Sequence, residues 1–158
     1  MKHELHERIR SSLDDKRRIL ERATSAAHHA ATDDESTAEN KYDTRGLEAA
    51  YLAGAQSKRL AQLDQEIRIL TRFAPRAFGA DEPIGLGALV ELASDEGSRI
   101  VFIAPCAGGL ELELAHSRVS VVTPQSPLGG QLIGAYQGDE ITLSLGARRV
   151  VYEILSVT

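Results

Sequence analysis

The sequence predicts an α+β fold, in which a long antiparallel helical hairpin precedes a small antiparallel β-sheet domain with one short helix. Three observations predict it. Two long segments carry apolar residues at heptad-type spacing, a stretch rich in Pro and Gly follows them, and short alternating segments fill the remainder of the 158 residues. We expect residues 1–75 to form the coiled-coil hairpin, residues 76–86 a linker and residues 87–158 the second domain.

The first helix is expected over residues 4–31. Apolar or small residues recur there at alternating steps of four and three, which is typical of a coiled-coil seam. The positions are Ile9, Leu13, Lys16, Leu20, Ala23, Ala27 and Ala30, with Lys16 as the polar exception. The same helix carries Arg17 and Arg18. These two residues either belong to a solvated face of mixed charge or contact RNA phosphate or an acidic protein surface.

The second helix is expected over residues 46–73 and ends before Pro75. Its seam repeats the same alternation at Ala49, Ala53, Gln56, Leu60, Leu63, Ile67 and Leu70. The connection between the helices is short, so they should lie antiparallel. Small residues dominate the seam near the connection, which predicts a slender end suited to insertion into a pore. An Ala-rich helix pair without such a purpose is the alternative.

The connection itself is acidic. Residues 33–42, which we call the acidic turn segment, contain Asp33, Asp34, Glu35 and Glu39. A turn needs only residues such as Gly, Asn, Asp or Ser, so four carboxylates exceed that requirement. The segment is therefore either a well-solvated bend or a device that presents carboxylates to a cation.

Short strands are predicted in the second half, with one helix among them. The expected strands are 88–94, 99–105, 109–115, 120–123, 140–145 and 150–157. Hairpin turns are expected at "ASDEGSR" and at "PCAGG". The helix should begin in "SPLGGQLIGAY", where Ser126 caps it, Pro127 takes the first position and Leu128 belongs to its apolar face.

Charge and composition restrict the class of protein. Residues 1–77 hold 14 Lys and Arg against 13 Asp and Glu, whereas residues 78–158 hold 4 against 10. This asymmetry suggests two units with different surfaces, and it lacks the basic excess of a simple DNA-binding domain. No apolar run approaches the roughly 18 residues of a membrane span. We expect a cytoplasmic protein, without membrane contact, that is a monomer because each helix has an intramolecular partner.

Two groups of motifs resemble the Gre-type transcript-cleavage factors. "VVTPQSPLGGQLIGAYQGDEITL" and the final "YEILSV" are similar to their C-terminal domain, with a Ser-Pro step, Leu-Ile-Gly and Gly-Asp-Glu before a strand. "AENKYDTRGLEAAY" is similar to the turn of their coiled coil, where a Glu-Asn pair precedes a Tyr. The order and lengths of the two domains match as well, so the resemblance covers nearly the whole chain.

The resemblance implies an RNA polymerase-binding elongation factor that is not itself an enzyme. The coiled coil would enter the secondary channel of bacterial RNA polymerase, and the second domain, FKBP-like in fold, would dock at the rim. The nascent RNA 3′ end would lie near the acidic turn segment, and DNA would be reached only through the polymerase. The implied partner-binding residues are Asn40, Tyr42, Arg17, Arg18, Ser126, Pro127 and Leu128.

The resemblance also implies a shared metal ion. No cofactor would be bound by the protein alone, and Mg²⁺ would be supplied in the polymerase complex. Glu39, Glu35 and Asp34 would be the catalytic carboxylates that stimulate cleavage of backtracked RNA, with Glu39 and Asp34 holding the metal. Mg²⁺ prefers oxygen ligands, and two metals can stabilise both the attacking and the leaving oxygen of phosphoryl transfer.

One departure from the family pattern leaves an alternative open. The family has an Asp three residues before the Glu of Glu-Asn, and this chain has Ser36 there. Asp34 or Glu35 could replace the missing acid, or the protein could occupy the channel as a regulator without cleavage activity. A prolyl isomerase and a coiled-coil dimerisation module are further alternatives. The second half offers few aromatic residues for an isomerase pocket, and the intramolecular helix pair disfavours the dimer.

Overall fold

The predicted α+β fold class is confirmed in a computed structural model, which describes residues 1–32, 45–79, 81–114 and 116–158. Two long helices precede a six-stranded sheet with one short helix. The elements are α1 (Lys2–Thr32), α2 (Arg45–Arg72), β1 (Leu89–Ser94), β2 (Gly97–Ile103), β3 (Glu111–Leu114), β4 (Ser117–Val122), α3 (Pro127–Leu132), β5 (Glu140–Leu145) and β6 (Arg148–Val157). None of the helices in these described ranges is both long and apolar enough to cross a bilayer.

The chain divides into two compact units. The hairpin unit comprises Ser11–Arg68, and the β-rich unit comprises Met1–Arg10 together with Ile69–Thr158. The first turns of α1 and the last residues of α2 therefore belong to the same unit as the sheet. The sequence had assigned these helix ends to the hairpin, within residues 1–75. The predicted domain boundaries at residues 75 and 87 stay a prediction.

The hairpin unit buries a narrow apolar seam. Leu13 of α1 and Leu63 of α2 are each only 2% exposed. The seam predicted on α2 is confirmed, since its other members in this unit are partly buried: Ala49, Ala53, Gln56, Leu60 and Ile67. Helix α2 therefore buries the face that the heptad spacing indicated.

The seam predicted on α1 is confirmed at Leu13 and Leu20 but is wrong at Lys16, Ala23 and Ala27. Those three residues are exposed, and Arg17 and Thr24 are partly buried instead. A straight helix has 3.6 residues per turn, so a strict heptad pattern drifts around it by about 20° per heptad. The Ala side chains of α1 have little apolar surface to bury, and they do not hold the seam against that drift.

The two ends of the helices in the β-rich unit are well packed. Leu5, Ile9 and Leu70 have no exposed surface. His6, which is 7% exposed, forms a 2.8 Å hydrogen bond between its Nε2 and the carbonyl oxygen of Leu70. Arg8 donates from Nη1 to the carbonyl oxygen of Glu113 on β3, over 2.9 Å. The start of α1 is thereby fixed to the sheet.

The sheet is mixed rather than wholly antiparallel, which corrects the predicted pairing. Its strand order is β3-β4-β2-β1-β6-β5, and β2 pairs with β4 in parallel, Ile100 lying opposite Val119. The second expected hairpin, at "PCAGG", is therefore not a hairpin. That segment instead carries the chain past β4 to the edge of the sheet, with positive φ angles at Ala107 and Gly109. The second hairpin joins β3 to β4.

Both faces of the sheet are buried in part. One face and α3 form a single apolar cluster, which includes Val90, Leu92, Val101, Leu128, Leu132, Ile141, Tyr152 and Ile154. The strand register places Phe102 and Val121 on the opposite face, and both are fully buried as well. The sheet therefore lies between α3 on one side and further buried residues of its own unit on the other.

Candidate functional site

The five residues predicted in the acidic turn segment lie outside the described residues. They are Asp34, Glu35, Glu39, Asn40 and Tyr42, and the carboxylate ligand set stays a prediction. Among the described residues, no group of three or more His, Cys, Asp or Glu could hold a metal ion.

Arg17 is held within the hairpin unit. Its Nε donates to Asp64 Oδ1 of α2 over 2.5 Å, and its Nη1 donates to Glu21 Oε2 over 3.0 Å. The hydrogen bond to Asp64 and the charges of Asp64 and Glu21 raise the pKa of Arg17 above its ordinary value. The guanidinium therefore links the two helices from the residue next to Lys16, which the heptad pattern had assigned to the seam.

Arg18 has a different environment. Its side chain is 61% exposed and forms an ion pair with Asp15 on the same helix, at 3.1 Å. A surface pair of this kind is held loosely and is screened by salt. Arg18 can therefore exchange Asp15 for an external anion with little loss, whereas Arg17 would first have to leave Asp64.

Ser126 and Pro127 build the start of α3 as the sequence indicated. The Ser126 hydroxyl accepts a 3.0 Å hydrogen bond from the Gly129 amide and donates over 2.8 Å to the carbonyl oxygen of Thr123. Pro127 follows in the first turn, where its missing N–H costs nothing. Leu128 is only 6% exposed and belongs to the core, and its role in partner binding stays a prediction.

A groove of about 550 Å³ runs beside the start of α3. Its apolar part includes Val121, Val122, Leu128 and Leu143, and its polar rim includes Arg99, Glu111, Ser120, Gln125 and Ser126. Arg99 donates from Nη2 to the Ser120 hydroxyl over 3.3 Å. No sequence pattern indicated Arg99, because its place in the groove depends on the parallel pairing of β2 with β4.

The segment after α2 folds against its own unit. The Arg76 guanidinium lies 4.0 Å from the centre of the Phe78 ring and donates to Glu82 Oε2 over 2.9 Å. The Gly79 amide donates to the same carboxylate over 3.0 Å. The Gly79 hydrogen bond, followed by Arg76, lowers the pKa of Glu82 below its ordinary value. The linker is therefore an ordered part of the β-rich unit.

Comparisons with known proteins identify relatives along most of the chain. The transcription inhibitor protein Gfh1 of Thermus aquaticus is 27% identical over 155 residues, covering 96% of this chain and 91% of that protein. Gfh1 of a Thermus thermophilus strain is 28% identical over 155 residues, with 96% and 92% covered. The transcription elongation factor GreB of Neisseria meningitidis is 32% identical over 114 residues, covering 68% of this chain and 66% of its own. No family profile matches the chain.

Several solved structures are similar to this chain. The crystal structure of GreA factor homolog 1 (Gfh1) of Thermus thermophilus is 24% identical, covers 97% of this chain and 94% of its own, and has a TM-score of 0.41. The relatives, together with a helical hairpin followed by a small β-rich unit, define the class as transcription factors. The chain belongs to the Gre-type family, of which it is a divergent member.

Proposed function

We propose that this protein binds RNA polymerase and regulates transcription as an accessory factor in the cytoplasm. Its hairpin would enter the secondary channel, and its β-rich unit would dock at the channel's rim. The observation that carries the proposal is family membership over nearly the whole chain, with relatives named as a transcription inhibitor and an elongation factor. The two-unit architecture supports it, because a narrow helical pair and a separate β-rich unit can serve these two purposes.

The residues of the β-rich unit would contribute unequally to docking. Ser126 and Pro127 begin α3 beside the groove, where a partner can reach them. Leu128 would act by holding α3 in the core, and it also belongs to the apolar lining of the groove. In the hairpin, Arg18 is able to meet an acidic or phosphate surface, whereas Arg17 would act by joining α1 to α2.

Regulation without cleavage, the alternative left open by the sequence, is the role that Ser36 and the named relatives together support best. Ser36 replaces the acid that the family pattern places three residues before Glu39. A serine hydroxyl is a poorer partner for Mg²⁺ than a carboxylate, because it carries no charge. The relatives that match over 155 residues are named transcription inhibitors. The protein would therefore act by occupying the channel.

Stimulation of RNA cleavage is the second candidate, and the acidic turn segment is its specific support. Glu39 with Asp34 or Glu35 would lend oxygen ligands to a Mg²⁺ ion in the polymerase active site. That ion would activate water, and the polymerase would remain the catalyst. The chain's own part would be limited to holding carboxylates at the metal.

One assay on purified, halted bacterial transcription complexes with Mg²⁺ separates the two roles. Regulation without cleavage predicts that the wild-type protein binds and lowers transcript yield while the halted RNA keeps its length. Shortening of that RNA by the wild type, lost in Glu39→Gln with binding retained, would establish the cleavage role instead. A wild-type protein that fails to bind core polymerase at micromolar concentration would refute both.

A further inference from the structure

The side of α2 that faces away from its partner helix carries an unexpected surface. Leu47 and Tyr51 lie four residues apart there and are 75% and 81% exposed. Gly54 and Lys58 continue the same line along the helix, since residues three and four apart are neighbours on a helix surface. We call these four residues the outward face of α2.

The outward face is not a misplaced part of the seam. Seam residues such as Ala49 and Ala53 are partly buried, and Leu47 and Tyr51 lie roughly half a turn away from them around the helix. An exposed helix face normally carries polar residues, so two large apolar side chains here are not explained by the packing of the residues that the structure describes. Apolar surface that a chain leaves uncovered in this way often marks a contact with another molecule.

Gly54 points to the same conclusion independently. Glycine weakens the interior of a helix, so its presence needs a reason. No described atom lies within 4 Å of a Cβ built at Gly54, and its φ is not positive, so the fold itself does not require glycine there. A missing side chain between Tyr51 and Lys58 instead leaves a shallow notch, into which another molecule can approach the helix backbone closely.

We propose that the outward face of α2 is a docking surface for an apolar wall of the RNA polymerase channel. The inference rests on the proposed function. Leu47 is the third residue of α2 and follows the acidic turn segment closely in sequence, so a channel that admits that segment would also surround Leu47 and Tyr51. Lys58 has no ion-pair partner among the described residues, and it matches an acidic group at the border of such a wall.

Two other occupants fit the surface less well. A stable dimer usually buries about 800 Å² per partner, far more than two large side chains and a notch can supply. The surface is therefore suited to be one part of a larger interface, as in a channel that also holds the rest of the hairpin. Single-stranded RNA would need several basic residues beside the aromatic ring, whereas the outward face has Lys58 alone.

Binding to core polymerase, measured by fluorescence anisotropy of the labelled full chain, tests the surface. Tyr51→Ala and Leu47→Ala are each expected to weaken binding about tenfold, which is typical of buried apolar anchors at an interface. Ile19→Ala is the matched control, because Ile19 is also apolar and 68% exposed but lies on α1. It should bind as the wild type does.

Gly54→Ala provides a variant that cannot fail through misfolding. Alanine favours the helix and meets open space, so the thermal midpoint should rise, while binding to polymerase should weaken about tenfold because the notch is filled. If the wild type binds polymerase and both Gly54→Ala and Tyr51→Ala bind it with the same affinity, this inference is overturned while the proposed function stays intact. A wild type that does not bind polymerase would overturn both.

The alternative occupants give distinct results. Concentration-dependent dimerisation in sedimentation analysis that disappears in Tyr51→Ala would assign the surface to a second copy of the chain. Binding of a single-stranded RNA oligonucleotide, weakened in Tyr51→Ala and Lys58→Met, would assign it to RNA. Either result would overturn the polymerase wall as the occupant.

Discussion

Replacing Gly129 with alanine is expected to dislodge α3 from the sheet. A Cβ built at Gly129 lies 2.0 Å from the carbonyl oxygen and 2.7 Å from the carbonyl carbon of Thr123, both of which are backbone atoms. Real Cβ atoms essentially never come closer than 3.0 Å, so the helix or the loop must move by roughly 1 Å. Leu128 and Leu132, which α3 buries in the core, would move with it.

The expected loss of stability arises because the added methyl group overpacks a site that is already filled. Such insertions typically cost about 1–3 kcal/mol, and the clash with backbone rather than a flexible side chain places Gly129→Ala at the upper end, about 3 kcal/mol. Alanine's better helix propensity returns less than about 1 kcal/mol. We expect a net loss of about 2 kcal/mol in the free energy of unfolding.

Urea unfolding of the full chain, followed by near-ultraviolet circular dichroism, measures this loss. Gly130→Ala is the control, since its Cβ would lie 3.3 Å from the Pro124 carbonyl oxygen and a small adjustment suffices. The control should stay within about 0.5 kcal/mol of the wild type. If Gly129→Ala were equally stable, the close approach of α3 to Thr123 would be refuted.

Three further perturbations test other contacts. Leu63→Ala should lower the free energy of unfolding by about 3 kcal/mol, because Leu63 is 2% exposed in the hairpin seam. Leu47, which is 75% exposed, provides the control, and equal thermal midpoints for Leu63→Ala and Leu47→Ala would contradict this expectation. His6→Ala should cost about 2 kcal/mol through the lost bond to Leu70 and the emptied buried site, so chemical denaturation with an unchanged midpoint would speak against that contact. Glu82→Gln should destabilise the protein above the ordinary carboxyl pKa. The folded pKa of Glu82 is lowered, so its contribution is present at neutral pH and is lost as pH falls through the folded value. Stability curves of variant and wild type should therefore converge in acid, and a constant gap at all pH values would exclude the proposed ion pair.

Local patterns sufficed for the elements whose residues are neighbours in sequence. Apolar spacing predicted α2 and its seam, and the Ser-Pro step predicted the start of α3 together with the cap at Ser126. Alternation in "GLELELA" and the turn residues before Gly97 predicted strands close to those observed. These signals are short-range, so they do not depend on where other parts of the chain lie.

The features that the sequence did not predict depend on residues far apart in the chain. Arg17 and Asp64 are 47 residues apart, and the heptad pattern, which assigned Lys16 to the seam, does not indicate that the guanidinium of Arg17 joins the two helices. The parallel pairing of β2 with β4 is set by the path of the connection through β3, which no local period encodes. The groove beside α3 follows from that pairing, so Arg99 was missed with it. The metal-binding role of the carboxylates in the acidic turn segment stays a prediction.

The central claim is that the helical hairpin enters the polymerase. Photocrosslinking from a photoreactive amino acid at position 40, in the acidic turn segment, tests it most directly in a complex of the full chain with core polymerase. If the hairpin enters the channel, adducts form to polymerase segments that line the catalytic chamber, and they are lost when excess unlabelled protein competes. Adducts confined to the outer surface of the polymerase, or none in a complex that forms, would contradict it.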